Sequence, residues 1–399
     1  MSAVHIAGII AEYDPFHAGH AAHIAATRAA GATHIAVVMS GNFTQRGKPA
    51  LLPKQRRVAM ALKCGADLVI ELPLPWAMAP AEVFATGGVS LLQALGCVQV
   101  LSFGCECGDA ASLQLVASAM DASAYNAALR QAMQAGVSYA AARQTAASVS
   151  CGEETAALLA YPNNTLGIEY IRAAARLGAG FDFLGVRRQG AGHHDEAIAD
   201  GIASGTALRR LIRAGQAQQA MQYMPAAAAD ILSDALREGD APVDPHKLDV
   251  ALLAHLRLQS RSALAALPYI SEGLENRLWN SIRQCTELSE LQRSLRTRRY
   301  PAARLRRILW ASLLEITPTM LQGTPPYIRV LGMNERGREI LSVATPALPL
   351  VTRFSQVRTL PPAAQAVFAA ERRGGDLYGL MLPRPAPCGR EQQYHMIVE

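Results

Sequence analysis
The chain has 399 residues, of which half are hydrophobic, 18% are charged and only 6% are aromatic. That length implies at least two domains with ample core, and that composition excludes a disordered chain. The net charge of +6 is uneven: residues 1–215 carry 16 Lys/Arg against 15 Asp/Glu, and the rest carry 22 against 17. A near-neutral front and a basic rear suggest small-molecule chemistry in front and an acidic partner behind. The seven cysteines show no repeated metal-binding spacing and read as reduced thiols. No basic segment followed by an apolar run opens the chain, so a secretory leader is not expected. The uncharged stretch between Glu82 and Glu106 is long enough for a membrane span, but its pattern changes at Gly96, as a buried helix followed by a buried strand would. A cytoplasmic protein without membrane contact is expected.

Four short β-branched runs begin at a regular interval: His5–Ala11, Thr33–Met39, Asp67–Leu72 and Val98–Phe103. Helical patterns fill the gaps at His20–Ala30, Lys54–Cys64 and Ala81–Leu95. Strands this apolar are covered on both faces, and strand–helix–strand at this period means right-handed crossovers and a parallel sheet. The predicted fold is α/β, a Rossmann-like doubly wound parallel sheet over 1–215 with a helical insertion at about 109–150. A strand at Phe181–Arg188 and a helix opening near Gly205 complete that domain. Residues 216–325 read as a mainly helical, Arg-rich domain. Residues 326–399 read as a small C-terminal lobe, beginning with Tyr327–Leu331 and Glu339–Val343, and a loose Pro-rich tail.

The chemistry concentrates after the first strand, in Gly8–His23 (GIIAEYDPFHAGHAAH). A Pro-containing loop leads to His17-Ala18-Gly19-His20 at a helix start, where free N–H groups and the dipole favour an anion. His17 and His20, three apart, face the same way, and Gly19 lets a ligand approach the backbone. That pattern suits charge building on an α-phosphate. His-x-Gly-His after the first strand resembles the signature of the HIGH-type nucleotidyltransferase superfamily. A second phosphate element is expected at Ile202–Arg209 (IASGTALR), where Ser204 and Thr206 can cap a helix and Arg209 can reach the β- and γ-phosphates. Between them, the loop Ser40–Pro49 follows the second strand, and Ser40, Asn42, Gln45 and Arg46 are candidate substrate contacts. Phe103-Gly104 ends the fourth strand, Pro162-Asn163-Asn164 opens a helix, and Arg187-Arg188 leaves the next strand. His193-His194-Asp195 has no spaced third ligand, so no protein-bound metal is expected there.

The blocks GIIAEYDPFHAGH, VVMSGNFTQRGKPALL, GADLVIELP, PNNTLGIEY, IASGTALR, EGLENRL, RTRRYPAARLRRIL and YIRVLGMNERGREIL occur in order along the chain. In that order they resemble the tRNA(Met) cytidine acetate ligase family over most of the sequence. The resemblance implies an enzyme that adenylates acetate with ATP, taken with Mg²⁺, and transfers acetyl to N4 of the wobble cytidine of elongator tRNA(Met). It implies an ATP site of Ile10, Ala11, Glu12, Tyr13, Asp14, Pro15, Phe16, His17, Ala18, Gly19, His20, Ala21, Ala22 and His23. Gly104, one or both of Asn163 and Asn164, and Arg187-Arg188 would complete that site. Four positions depart from the family pattern: Asp14 and Ala18 replace Asn, Gly205 replaces Ala, and His193 replaces Tyr. Asp14 near phosphates needs a magnesium or histidine partner.

In the basic rear, Arg293–Arg307 holds seven arginines and no acid. Arg293, Arg296, Arg298, Arg299, Arg304, Arg306 and Arg307 suit RNA phosphates, and Tyr300 could stack on a base. Two other readings remain. A small-molecule cofactor adenylyltransferase would share the phosphate motifs without needing the arginine run, and an RNA-binding protein could keep a degenerate nucleotide pocket.

Overall fold
The computed structural model describes residues 4–135, 137–188 and 203–399. His193, His194 and Asp195 lie outside the described residues.

β1 (Ile6–Ala11) leads to α1 (Ala18–Ala29), then β2 (His34–Ser40), α2 (Lys54–Lys63), β3 (Leu68–Leu72), α3 (Ala81–Ala94) and β4 (Val100–Cys105). Helices Ala110–Asp121, Ser123–Gln134 and Tyr139–Cys151 occupy the insertion, followed by α4 (Pro162–Leu177), β5 (Asp182–Arg187) and α5 (Gly205–Arg213). The strands lie in the order β3–β2–β1–β4–β5, all parallel. Every residue of β2 and β3 is buried, as runs apolar on both faces require. α3 packs so tightly on β1 that a Cβ on Gly88 would meet the Ile10 side chain at 2.7 Å. The chain winds outward from β1 through β2 and β3, then returns to lay β4 on the other side of β1. That reversal opens a crevice at the carboxyl ends of β1 and β4.

The helices Asp249–Leu258, Leu274–Gln284, Leu288–Leu295 and α6 (Ala302–Leu314) share a separate leucine-rich core that includes Leu256, Leu278, Ile282, Leu291 and Leu305. No helix among the described residues is long and apolar enough to cross a membrane.

The C-terminal segment corrects the expectation of a separate lobe and a loose tail. β6 (Ile328–Met333) pairs antiparallel with β3, and α7 (Glu335–Val343) follows it. β7 (Leu350–Val351) pairs with β6 in parallel, as does β8 (Ile397–Val398), and between them runs α8 (Pro362–Met381), 20 residues long. The physical reason is twofold. β3 is too apolar to be left as an open edge, and Pro361-Pro362 opens a helix, because proline is tolerated in its first turn. A buried ionic cluster fixes the join. Lys54 Nζ on α2 meets Glu71 of β3 at 2.5 Å and Glu391 of the tail at 2.6 Å, and Arg329 of β6 meets the same two carboxylates at 2.7 and 2.6 Å. Glu371 of α8 borders this cluster, and burial, then the charge of Glu71, holds its carboxyl well above the ordinary range.

Candidate active site
His17 is the N-cap of α1, with extended backbone. Its Nδ1 accepts the Gly19 N–H at 3.1 Å, while His20 Nδ1 accepts the His17 N–H at 3.2 Å. The rings stack with centroids 3.7 Å apart. Because both Nδ1 atoms accept, each neutral ring carries its proton on Nε2, and the pair offers two N–H donors. Burial, then the charges of Arg188 and Arg209, lowers His17 to about 3. Burial and the neighbouring His17 hold His20 well below the usual histidine range. Both are neutral at physiological pH. His23, lowered to about 4 by burial and then Arg188, is tied at 2.9 Å to Ser102 Oγ on β4.

These rings line a cavity of about 460 Å³ at the carboxyl ends of β1 and β4, a size typical of small-molecule sites. The nucleotide-site residues expected from the sequence all line it except Pro15, Phe16, Ala18, Ala21 and Asn164. Phe16 is fully buried in the core beneath the loop. The Ala18 N–H donates to the Tyr223 carbonyl at 3.1 Å. Asn164 is also fully buried, and its Oδ1 accepts the Glu106 and Cys107 N–H groups at 2.8 and 3.2 Å, bracing the loop after β4. Asn163 is the asparagine that lines the cavity. The Glu106 carboxylate accepts from the Asn163 N–H, Asn163 Nδ2 and the Asn164 N–H, so the N-terminus of α4 already holds an anion.

At the second phosphate element, Ser204 Oγ accepts the Ala207 N–H at 3.1 Å and caps α5. Thr206 is not a cap: its Oγ1 accepts from Arg209 Nη2 at 3.0 Å. Arg209 also donates to the Asp14 carbonyl at 2.5 Å and lies 3.4 Å from its carboxylate. The other Asp14 oxygen accepts the Leu51 N–H at 2.6 Å. An arginine and a backbone amide thus balance Asp14, where the sequence pointed to magnesium or histidine. Glu12 also lines the cavity and accepts the Gln45 N–H at 2.6 Å. Burial pushes its carboxyl above the ordinary range, against that amide.

The substrate loop divides. Gln45 and Arg46 line the cavity, whereas Ser40 and Asn42 do not. Asn42 Oδ1 accepts the Lys54 N–H at 3.0 Å, at the start of α2, and Ser40 is fully buried at the end of β2. Arg57, on α2, was not singled out by the sequence. It is fully buried and donates to the carbonyls of Glu12, Ser40, Gly41 and Leu52, tying the loops after β1 and β2 together. Its only sequence signal is a charge on the inward face of an amphipathic helix. The aromatic wall of Phe84, Phe103 and Tyr170 was likewise missed, apart from Phe103 at its strand end.

A family model described as HIGH Nucleotidyl Transferase matches residues 4–393. The protein of Syntrophotalea carbinolica named tRNA(Met) cytidine acetate ligase is 36% identical, over 97% of this chain and 96% of that protein. The one so named in Acetivibrio thermocellus is 33% identical, over 98% and 99%. This chain belongs to the tRNA(Met) cytidine acetate ligase family. A crystal structure of Thermotoga maritima TmcAL matches it with a TM-score of 0.93 at 31% identity, covering 99% of both chains. A second, with TM-score 0.90, is bound with alpha-thio ATP.

In this member of the ligase family the arginine run does not form one face. Arg293, Arg296, Arg298 and Arg299 are exposed. Tyr300 is buried in the helical core, where its hydroxyl donates to the Glu272 carbonyl at 3.3 Å, so it has no face free to stack on a base. Arg304 donates to the Tyr269 carbonyl at 3.0 Å and to Ser271 Oγ at 2.6 Å. Arg306 Nε donates to the Arg46 carbonyl at 3.0 Å, and buried Arg307 Nε to the Gln45 carbonyl at 2.9 Å. The period of α6 turns these side chains inward, against the loop that borders the cavity. Among the described residues one trio of carboxylates, Glu71, Glu371 and Glu391, is close enough to share a cation, and Lys54 and Arg329 already neutralise it.

Proposed function
We propose that this chain adenylates acetate with ATP and transfers the acetyl group to N4 of the wobble cytidine of elongator tRNA(Met). The observation that carries this reading is the stacked His17–His20 pair, held by backbone amides as two neutral N–H donors at the start of α1. An acetate oxygen attacks the α-phosphorus in line, the bond to the bridging oxygen breaks, and pyrophosphate leaves. Charge builds on the non-bridging oxygens as this happens, and donors already fixed in place stabilise it without reorganising. Arg46 and Arg209, both lining the cavity, neutralise the triphosphate. ATP enters as its magnesium complex, since Glu12 and Asp14 are engaged with Gln45, Leu51 and Arg209. In the second stage the cytidine amine attacks the acetyl carbonyl, AMP departs with its electron pair, and the nitrogen loses one proton to solvent. Such an acceptor must be splayed out of its stack to reach a cavity lined by the strand ends.

The deciding experiment incubates the protein with ATP, labelled acetate and tRNA(Met), then measures pyrophosphate, AMP and N4-acetylcytidine. All three are expected. Pyrophosphate release without labelled RNA would instead indicate a cofactor adenylyltransferase, which passes the adenylyl group to a small acceptor. Formation of none of the three would leave an RNA-binding protein with an inactive pocket.

A further inference from the structure
Two of the cavity's cations, Arg46 and Arg209, belong to a larger set that continues outside it. Arg306 reaches across from α6 to the Arg46 carbonyl at 3.0 Å, and the intervening turn fits closely. Gly47 has φ +66°, and a Cβ there would come within 2.8 Å of the Arg307 nitrogen and 3.1 Å of Arg306 Cβ. Lys48 follows directly and is exposed. Burial of its stem, then the charges of Arg306, Arg209, Arg213 and Arg46, lowers it to about 8. Arg213 lies one helical turn beyond Arg209 on α5, so the two share a face. At the other end, the charge of exposed Arg296 reaches Arg306, whose own environment is also shared with Arg46. Neither Lys48 nor Arg213 has an ion-pair partner among the described residues.

We propose that Arg296, Arg306, Arg46, Lys48 and Arg213 form one track of cations along which the phosphodiester backbone of single-stranded RNA is drawn to the cavity mouth. The neighbouring arginines disfavour the charged forms of Lys48 and Arg306 in the free protein, and a polyanion lying across them offsets that cost. The triphosphate of ATP cannot be the whole reason for the cluster. Of this set Arg46 and Arg209 line the cavity, whereas Lys48, Arg213, Arg296 and Arg306 stand outside it. The outer cations therefore serve an anion longer than a nucleotide, and a base entering the cavity brings a phosphate on each side past this rim. The track joins the exposed arginines of the helical region to the site through both parts of the chain, 46–48 and 209–213. It deepens the tRNA reading above and rests on it.

The test compares the intact protein with a Lys48→Met/Arg213→Met double variant, using a single-stranded anticodon-loop RNA of tRNA(Met) at several salt concentrations. Removing two phosphate contacts is expected to weaken binding roughly tenfold and to reduce the slope of log affinity against log salt by about 1.4. ATP affinity, measured by calorimetry on both proteins, stays the same and reports an intact fold. The charge-preserving Lys48→Arg/Arg213→Lys variant keeps the RNA affinity. An unchanged affinity and slope in the Met variant overturns the track, and so does a loss of ATP affinity with RNA binding intact. Failure of the unaltered protein to bind the RNA at all would instead overturn the tRNA reading itself, so the two failures are distinguishable.

Discussion
At the scale of single residues, the site works by holding two histidines neutral. Replacing either His17 or His20 with Asn removes an Nε2 donor, and acetyl-adenylate formation is expected to fall on the order of 100-fold, with a much smaller change in ATP affinity. Rapid-quench measurement of the adenylate checks this. Because both rings are already neutral, their titration leaves the adenylation rate flat between about pH 6 and 8. Their effect on stability has a definite sign. The folded-state values of His17 and His23, about 3 and about 4, lie below the unfolded value near 6.5, so protons bind the unfolded chain more tightly. That stability is complete above pH 6.5 and is lost as pH falls through the folded values. A His17→Asn variant is expected to show a shallower loss of melting temperature between pH 6.5 and 4. The pair was legible in the sequence, because a three-residue spacing after a first strand fixes both face and place. The choice between Asn163 and Asn164 was not, because adjacent residues at a helix start point apart and only the packing of the Glu106 loop decides which turns inward.

At the scale of elements, the cavity depends on how loops are tied. Arg57→Ala leaves carbonyls of Glu12, Ser40, Gly41 and Leu52 short of a buried donor. The expected loss is on the order of 3 kcal/mol, read as a lower urea midpoint with an unchanged slope. Arg307 acts at longer range. Its bond to the Gln45 carbonyl fixes the strand of loop whose amide holds Glu12. Arg307→Ala is expected to lower ATP affinity several-fold without any RNA present, since small misplacements in a site are costly. A contact made only with tRNA would leave ATP affinity untouched, so calorimetry separates the two roles. Strands and helices of the sheet were readable because each run keeps one period from end to end. The arginine run was only half readable. Charge shows in the sequence, but which arginines α6 turns toward the Gln45–Arg46 loop depends on docking between parts of the chain about 260 residues apart.

At the scale of the whole molecule, the C-terminal segment belongs to the catalytic sheet. Its strands were missed as sheet members because β6 reads like any short apolar run, and nothing local reveals that its partner is β3, far back in the sequence. Glu391→Ala removes a carboxylate shared by Lys54 and Arg329, leaving buried cations short of a partner. A loss of roughly 3–5 kcal/mol is expected, visible in thermal unfolding. Glu391 follows Lys54 by 337 residues. On the ribosome, therefore, the sheet is still incomplete when β1 to β5 have emerged. Lys54 and Glu71 pair with each other, but the cluster around them is complete only once Arg329 and then Glu391 have been added, and the edge of β3 waits for β6. Synthesis of the segment that carries Arg329 and Glu391 is thus a late folding step, and a nascent chain cut short before β6 exposes an uncovered strand edge to quality control.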